Sequence, residues 1–271
     1  CHTFGTIATG GFSTRTASVG AYDSVYIEIV VIGFMFLAGT NFALHYRALR
    51  GRPLDYFRDS EFRWYLGLWA GACLLLTLII YRSVGSVGEA FRAAFFQGTS
   101  ILTTTGFVTR DFDQWPDTAR MLLVVLMFIG GCAGSTGGGM KVTRIVIVIR
   151  KVIVEIRRFM RPQAVLTIRS GRDALPAEAV THIAAFVLMF LFLFFGGTVL
   201  MTLWTPDIET AFSSVAATLG NIGPGLSAVG AMRNYAEIPA AGQALLTFFM
   251  LLGRLELYTV LIVLTPAFWR E

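Results

Sequence analysis

The sequence predicts an all-α membrane protein built from repeats, each with a membrane span, a short re-entrant helix followed by a loop, and a second span. Of its 271 residues, 55% are hydrophobic and only 14% are charged, against roughly 25% charged residues in an average soluble domain. Apolar stretches of about 20 residues, the length that a span needs, recur along the chain. They lie near 24 to 45, 64 to 82, 179 to 203 and 240 to 264.

A fifth apolar stretch, near 118 to 158, is interrupted by a Gly-rich segment at 130 to 139. Two more apolar stretches, near 89 to 104 and 207 to 220, are too short to cross a bilayer. Their length is typical of re-entrant helices. The sequence therefore predicts one short helix within each of two repeats.

The starts of these two short helices carry residues that favour helix N-termini. Ser86 and Glu89 have the spacing of a capping box, in which each side chain bonds the backbone N–H group of the other residue. Thr205, Pro206 and Asp207 place a cap residue, a proline and an acid in the order that helix starts prefer. We therefore expect the second short helix to begin at Pro206.

Three segments align with one another without gaps and indicate an internal repeat. They read HTFGTIATGGF, QGTSILTTTGF and SVAATLGNIGP, and they start at His2, Gln97 and Ser214. All three have a glycine at the tenth position, namely Gly11, Gly106 and Gly223.

This repeat divides the chain into three units. Residues 1–51 are predicted to hold the loop and second span of an incomplete repeat. Residues 52–160 form a complete repeat that includes the Gly-rich segment, and residues 161–271 form the last complete repeat. Because the chain opens at Cys1 close to the first loop, we expect a natural N-terminal part to precede it.

The basic residues account for the net charge of +5 and lie mainly in connections between spans. Five arginines lie between Arg47 and Arg63, and nine basic residues lie between Lys141 and Arg172. Such clusters mark cytoplasmic loops, which places the three glycine loops on the outer side. Nucleic acid is not an expected partner, because the basic residues do not alternate with aromatic residues along an exposed face.

The three loops have the composition of an ion filter made of backbone carbonyl groups. A short helix that enters from outside and ends in mid-membrane points its partially negative C-terminus at the centre, where a cation is favoured. Rings of carbonyls replace the hydration shell of potassium in known filters, and glycine permits the backbone conformations that they need. Ordinary glycine turns at helix C-termini are the alternative. The candidate potassium-binding residues are Thr9, Gly10, Gly11, Phe12, Thr104, Thr105, Gly106, Phe107, Asn221, Ile222, Gly223 and Pro224.

The Gly-rich segment is a candidate gate. Non-helical backbone survives at membrane depth only where protein buries it or where it lines a water-filled cavity, and glycine adopts several conformations at low cost. A phosphate-binding loop is disfavoured because Met140 separates Gly139 from Lys141. A close helix-packing surface is the stronger alternative. The candidate gate residues are Gly130, Gly131, Cys132, Ala133, Gly134, Ser135, Thr136, Gly137, Gly138, Gly139 and Arg254.

Arg254 is included because it lies in the middle of the predicted span from 240 to 264. An unpaired charge there is costly and usually marks a pathway or a partner. Glu256, two residues later, would face another side of a helix, so we expect Arg254 to face a cavity. Lys141, at the exit of the Gly-rich segment, is expected to reach the cytoplasmic surface instead.

Five motifs together resemble those of the Trk/Ktr potassium transporters, specifically the TrkH branch. The motifs are TGGFST from Thr9, TTTGFVT from Thr103, GGCAGSTGGGMKVTR from Gly130, NIGPGL from Asn221 and GRLELYTVL from Gly253. The resemblance implies four repeats around one pseudo-fourfold pore, of which this chain holds the last two and a half. It implies a potassium filter at the three loops, with the Gly-rich gate and Arg254 beneath it. Asn221 and Pro224 stand where the second loop has Thr104 and Phe107, so the likeness implies a less strict filter.

The resemblance further implies potassium uptake across the bacterial inner membrane by a multi-pass protein. It implies a homodimer and a cytoplasmic TrkA-like nucleotide-binding ring as regulatory partner. The chain itself is expected to need no cofactor, since any nucleotide would bind to that ring. A sodium- or proton-coupled potassium symporter of the same fold stays open as an alternative. A membrane-embedded enzyme is a remote alternative, because no set of acids, bases or metal ligands in the sequence converges on the Gly-rich segment.

The basic connections make a testable prediction about topology. A single cysteine in Arg58→Cys or Arg169→Cys should react with a membrane-impermeant thiol reagent only from the cytoplasmic side, because basic connections stay inside. A single cysteine in Asp113→Cys should react only from the outer side. Labelling of the Arg58→Cys variant from outside intact cells would reverse the direction of all three glycine loops.

Overall fold

The computed structural model describes residues 1–164, 166–171 and 173–269 and has an all-α architecture. The α-helices are α1 (His2–Ile7), α2 (Val25–Ala38), α3 (Phe42–Leu49), α4 (Asp55–Arg58), α5 (Ser60–Val84), α6 (Val87–Leu102), α7 (Asp117–Ile129), α8 (Val142–Met160), α9 (Ala177–Met201), α10 (Ile208–Leu219), α11 (Ala240–Arg254) and α12 (Leu257–Val263). Short 3-10 helices lie at Ser18–Tyr22, Phe112–Gln114, Ser227–Val229, Tyr235–Glu237 and Pro266–Trp269. Between α8 and α9, the strands β1 (Arg169–Ser170) and β2 (Asp173–Ala174) pair antiparallel.

Helices α5 and α9 are each 25 residues long and apolar enough to cross a membrane. Large apolar side chains of α9 are exposed, among them Leu188, Phe192 and Val199. Large contiguous apolar surfaces are rare on soluble proteins and mark contact with a membrane or a partner. The architecture is therefore that of the all-α membrane protein that the sequence predicts.

The prediction of continuous spans over 24 to 45 and 240 to 264 is wrong, because each is a bent pair of helices. The chain bends by 102° between α2 and α3 and by 116° between α11 and α12. At the first bend, the Asn41 side chain caps the new helix by accepting a hydrogen bond from a backbone N–H group at 2.8 Å. At the second bend, Glu256, the residue before α12, has a left-handed φ of 66°, which turns the chain into its new direction.

All three second spans are thus interrupted after a similar length. The helices before the break, α2, α7 and α11, contain 14, 13 and 15 residues. At a rise of about 1.5 Å per residue, each break lies roughly 20 Å along its span. The break between α7 and α8 is much longer than the other two, since it holds the whole Gly-rich segment.

The short helices α6 and α10 are packed inside the bundle. Helix α6 packs along α5, and α10 packs between α9 and α11. Buried hydroxyl groups on these helices donate to carbonyls one turn earlier, as Thr103 does to Thr99 at 2.8 Å and Thr218 does to Ser214 at 2.7 Å. These hydrogen bonds let the polar residues lie in the interior. The small side chains of these residues let the helices approach closely. The loops that follow are therefore held firmly in the centre.

The predicted helix starts are partly wrong. Ser86 precedes α6, but its side chain makes no capping hydrogen bond, and Glu89 instead forms an ion pair with the following outer loop at 3.1 Å. Helix α10 begins two residues later than predicted, because Asp207 rather than Thr205 is its cap. The Asp207 carboxylate accepts a hydrogen bond from the Thr210 N–H group at 2.6 Å.

The Asp207 cap makes a testable prediction about stability. Partial burial would raise the pKa of Asp207, but hydrogen bonds from Thr210 and Ser227 outweigh this effect and lower that pKa. We expect Asp207→Ala to lower the free energy of unfolding in detergent by about 1 kcal/mol near pH 7. The loss should shrink below about pH 4, because a carboxylate with a lowered pKa contributes stability above its unfolded pKa and loses it as the pH falls.

Asp117→Ala is the matched control for this measurement. Asp117 also starts a helix on the predicted outer side, but its side chain is 98% exposed and caps nothing. Asp117 forms an ion pair with Arg120 at 3.0 Å, and ion pairs with an exposed partner contribute little to stability. An equal loss of stability in the two variants would contradict the capping role of Asp207.

Candidate functional site

The three aligned segments share one backbone conformation. The eighth residue has a left-handed φ of 49°, 57° and 57° at Thr9, Thr104 and Asn221. The tenth residue has a positive φ of 62°, 80° and 106° at Gly11, Gly106 and Gly223. The N–H group of the ninth residue donates to the carbonyl of the fourth at 2.9, 2.9 and 2.8 Å. Each loop therefore leaves its short helix by the same sequence of turns.

The loops also contact one another in order, the first against the second and the second against the third. Gly11 lies against the carbonyl oxygen of Thr105, and Gly106 lies against the carbonyl oxygen of Ile222. A Cβ atom at either glycine would overlap with that oxygen. At Gly223, no described residue lies within 4 Å of the corresponding position. Gly11 and Gly106 are thus required both for their positive φ and for the close approach of the next loop, whereas Gly223 is required for its positive φ.

The residue after each glycine has a different environment in the three loops. Phe107 is fully buried, and its carbonyl accepts a hydrogen bond from a serine hydroxyl at 2.7 Å. The Phe12 side chain is 76% exposed. Pro224 has no aromatic ring to contribute. The three loops therefore share their backbone but not their side-chain support.

Tyr235 supports the last loop, and no sequence motif marks this residue. Its hydroxyl donates to the carbonyl of Gly223 at 2.6 Å. Burial raises the pKa of Tyr235, so the phenol stays protonated and keeps its donor. Its own backbone carbonyl accepts a hydrogen bond from the Gln243 side chain at 3.0 Å, which ties the outer loop to α11.

The Gly-rich segment is non-helical and lies against the inner end of all three loops. The Thr9 hydroxyl donates to the Thr136 carbonyl at 2.9 Å, and the Thr104 hydroxyl accepts from the Gly138 N–H group at 2.6 Å. Gly138 also packs against Asn221. The eighth residue of every loop thus contacts the Gly-rich segment. The sequence places these residues in the loops but does not reveal this contact.

Backbone hydrogen bonds fasten the Gly-rich segment to the break between α2 and α3. The Cys132 N–H group donates to the Gly39 carbonyl at 2.8 Å, and the Phe42 N–H group donates to the Gly134 carbonyl at 3.1 Å. Helix ends carry backbone groups without helical partners. Here the backbone N–H and carbonyl groups of the two non-helical stretches bond to one another.

Arg254 and Lys141 both donate to carbonyls of the Gly-rich segment. Arg254 is the last residue of α11, and its Nη1 group donates to the Thr136 carbonyl at 2.7 Å. Lys141 Nζ donates to the Gly137 carbonyl. The expectation that Lys141 reaches the cytoplasmic surface is therefore wrong. Its positive φ of 65° ends the segment with a turn, and its side chain returns to the segment.

A cavity of about 300 Å³ lies beside these two cationic side chains. The Gly-rich segment and apolar residues of α9 and α11 line the rest of it. Glu256 also borders the cavity, but it pairs with Arg144 at 2.6 Å rather than with Arg254. Two positive charges therefore face the cavity, and they disfavour a cation in this arrangement.

Short buried helices that end at glycine loops, packed among helices long and apolar enough to cross a membrane, define an integral membrane protein. The family model TrkH, described as a cation transport protein, matches residues 1–270. The chain belongs to this family. Its relatives are transport proteins rather than enzymes.

Curated relatives match the whole chain. The Trk system potassium uptake protein TrkH of Vibrio parahaemolyticus is 41% identical over 275 residues, and that of Salmonella typhimurium is 40% identical over 273 residues. Each match covers 100% of this chain and 56% of the relative. The crystal structure of the potassium transporter TrkH from Vibrio parahaemolyticus superposes with a TM-score of 0.93 at 40% identity, covering 99% of this chain and 58% of that one. The chain thus spans somewhat more than half the length of these relatives.

Proposed function

We propose that this chain supplies three filter loops and the gate of a protein that takes up potassium ions. One observation carries the proposal. The three glycine loops have the same backbone conformation, contact one another in order, and contact the Gly-rich segment through their eighth residues. The relatives named as potassium uptake proteins support potassium as the ion.

The proposed filter binds the ion through backbone carbonyls of residues 9–12, 104–107 and 221–224. The short helices α6 and α10 end just before their loops, so their partially negative C-termini favour a cation at the centre. Carbonyls from adjacent loops can then replace the water around a potassium ion. The last loop differs because its Gly223 carbonyl accepts a hydrogen bond from the Tyr235 hydroxyl. This difference supports a filter that is less strict than one made of four identical loops.

The proposed gate consists of residues 130–139 with Arg254. The segment lies below the loops on the predicted cytoplasmic side, where an ion leaving the filter would meet it. Arg254 holds the middle of the segment through the Thr136 carbonyl. Because single hydrogen bonds contribute only about 1 kcal/mol each, the segment can be displaced when several of them break together.

The proposed assembly is a homodimer in the bacterial inner membrane, controlled by a TrkA-like nucleotide-binding ring in the cytoplasm. The last turn of α8 carries Arg157 and Arg158 on the side that the basic connections predict to be cytoplasmic. A positive surface of this kind suits an acidic docking face. Nucleotide binding would then belong to the ring rather than to this chain.

The filter is tested by Gly106→Ser in the full-length protein. Its Cβ atom would overlap with the Ile222 carbonyl, and its φ of 80° is strained for a side chain. We expect the potassium-over-sodium flux ratio of reconstituted protein to fall about ten-fold, since strain of this kind is worth roughly 1–3 kcal/mol. Gly85→Ser is the matched control, because Gly85 has a similar φ of 78° with open space around it at the end of α5. An unchanged flux ratio in folded Gly106→Ser would reject the filter.

The gate is tested at Arg254. Replacement by alanine removes a positive charge that opposes a passing cation by roughly 1 to 4 kcal/mol at 4 Å, so basal potassium flux should rise. Arg254→Lys distinguishes two causes. Lysine lacks the planar fork of the guanidinium, so it should resemble alanine if the bond to Thr136 matters and wild type if charge alone matters. Flux at or below the wild-type rate in Arg254→Ala would reject a place for Arg254 in the pathway.

A further inference from the structure

One carboxylate from another helix holds both ends of the Gly-rich segment. Glu61 Oε1 accepts hydrogen bonds from the Ala133 N–H group at 2.7 Å and from the Thr143 N–H group at 3.3 Å. Ala133 lies near the start of the segment, and Thr143 lies in the first turn of α8, just beyond its end. A single side chain of α5 therefore bridges the two ends.

Helix α8 needs such a contact because it has no side-chain cap of its own. Its cap residue, Lys141, makes no capping hydrogen bond. The first amides of a helix lack helical partners, and the partial positive charge at a helix N-terminus favours a carboxylate. Glu61 meets both requirements from a neighbouring helix.

The first turns of α5 form a firm support for this contact. Asp59 caps α5 by accepting a hydrogen bond from the Phe62 N–H group at 2.7 Å. Tyr65 lies one turn after Glu61 on the same side of the helix. It is fully buried, and its hydroxyl donates to the Phe36 carbonyl at 3.2 Å, beside the break between α2 and α3.

The other side chains that hold the segment bond to residues 136–138, among them Lys141, which donates to the Gly137 carbonyl. Thr9 and Arg254 bond to Thr136, and Thr104 bonds to Gly138. Loss of one of these contacts frees a few residues while both ends stay in place. Loss of the Glu61 contact leaves the two ends to backbone hydrogen bonds alone, such as those of Cys132 to Gly39 at 2.8 Å and of Met140 to Phe128 at 3.1 Å, so that the whole segment leaves its place more easily.

We propose that Glu61 is a positioning residue that fastens both ends of the Gly-rich segment to the start of α5. Its functional meaning rests on the proposed gating role of that segment. Because the connection from 52 to 59 leads directly into α5, a force on that connection reaches the segment through Glu61. The proposal thus links the predicted cytoplasmic face to the gate.

Cys132 provides a readout that does not depend on ion flux. It lies in the segment next to Ala133 and is only 1% exposed, so its reaction with a thiol reagent reports departure of the segment from its place. The test uses the full-length protein with every other cysteine replaced by alanine. Glu61→Asp keeps a negative charge in the first turn of α5, but it is one methylene too short to reach both amides. We expect Cys132 to label about ten-fold faster or more, because hydrogen bonds to a charged acceptor are lost.

Glu178→Asp is the matched control. Glu178 is the second residue of α9, as Glu61 is of α5, but it is exposed and makes no hydrogen bond to any described residue. Its substitution should leave the labelling rate unchanged. Glu61→Gln keeps the length and one acceptor oxygen without the charge, so its rate should lie between those of wild type and Glu61→Asp. This variant also serves as the test if Glu61→Asp does not fold.

A labelling rate in folded Glu61→Asp equal to that of wild type would overturn the proposal. An equal acceleration in Glu178→Asp would overturn it as well. Potassium flux measured on the same preparations separates this proposal from the proposed function. Faster labelling with unchanged flux would keep Glu61 as the support of the segment and reject the segment as a gate, whereas unchanged labelling would reject Glu61 whatever the flux.

Discussion

The structure depends on one constraint, which is that backbone polar groups inside a bilayer must find partners within the protein. The chain is interrupted in all three second spans, and the breaks satisfy one another. Cys132 and Phe42 exchange hydrogen bonds with Gly39 and Gly134 across two breaks. Arg254, at the third break, donates to Thr136. The three breaks therefore meet in one place, beside the eighth residues of the glycine loops.

The repeats share one plan but use it differently. The breaks after α2 and α11 are short bends, whereas the break after α7 holds the whole Gly-rich segment. The two short breaks are stabilised by local side-chain contacts, because Asn41 caps α3 and Glu256 pairs with Arg144. The long break contains no helix, and contacts from other helices and loops hold it in position. Two breaks are thus closed by local contacts, whereas the long break is held by contacts from other helices and loops.

The charges around the centre oppose one another across the Gly-rich segment. Above it, the C-termini of the short helices and the loop carbonyls favour a cation. Below it, Arg254 and Lys141 face the cavity and disfavour one. The Arg254 and Lys141 side chains also donate hydrogen bonds to carbonyls of the segment, so they stabilise its position. In the proposed gate, a displacement of the segment would change both the electrostatics and the open cross-section along the path of the ion.

Local sequence determined much of this protein. The apolar stretches, the gapless register of the three loops and the non-helical nature of residues 130–139 all follow from composition and spacing, because span length, positive φ and glycine content are local properties. The bends at Asn41 and Glu256 could not be predicted, since apolar composition alone does not distinguish a straight span from a bent one. Likewise, Lys141 was expected at the cytoplasmic surface, but it bonds to its own loop. The roles of Glu61 and Tyr235 were decided only by the tertiary structure. Their partners lie 72 and 12 residues away. Helix packing brings Glu61 to its backbone partner, and the folding of the connection between α10 and α11 brings Tyr235 to Gly223.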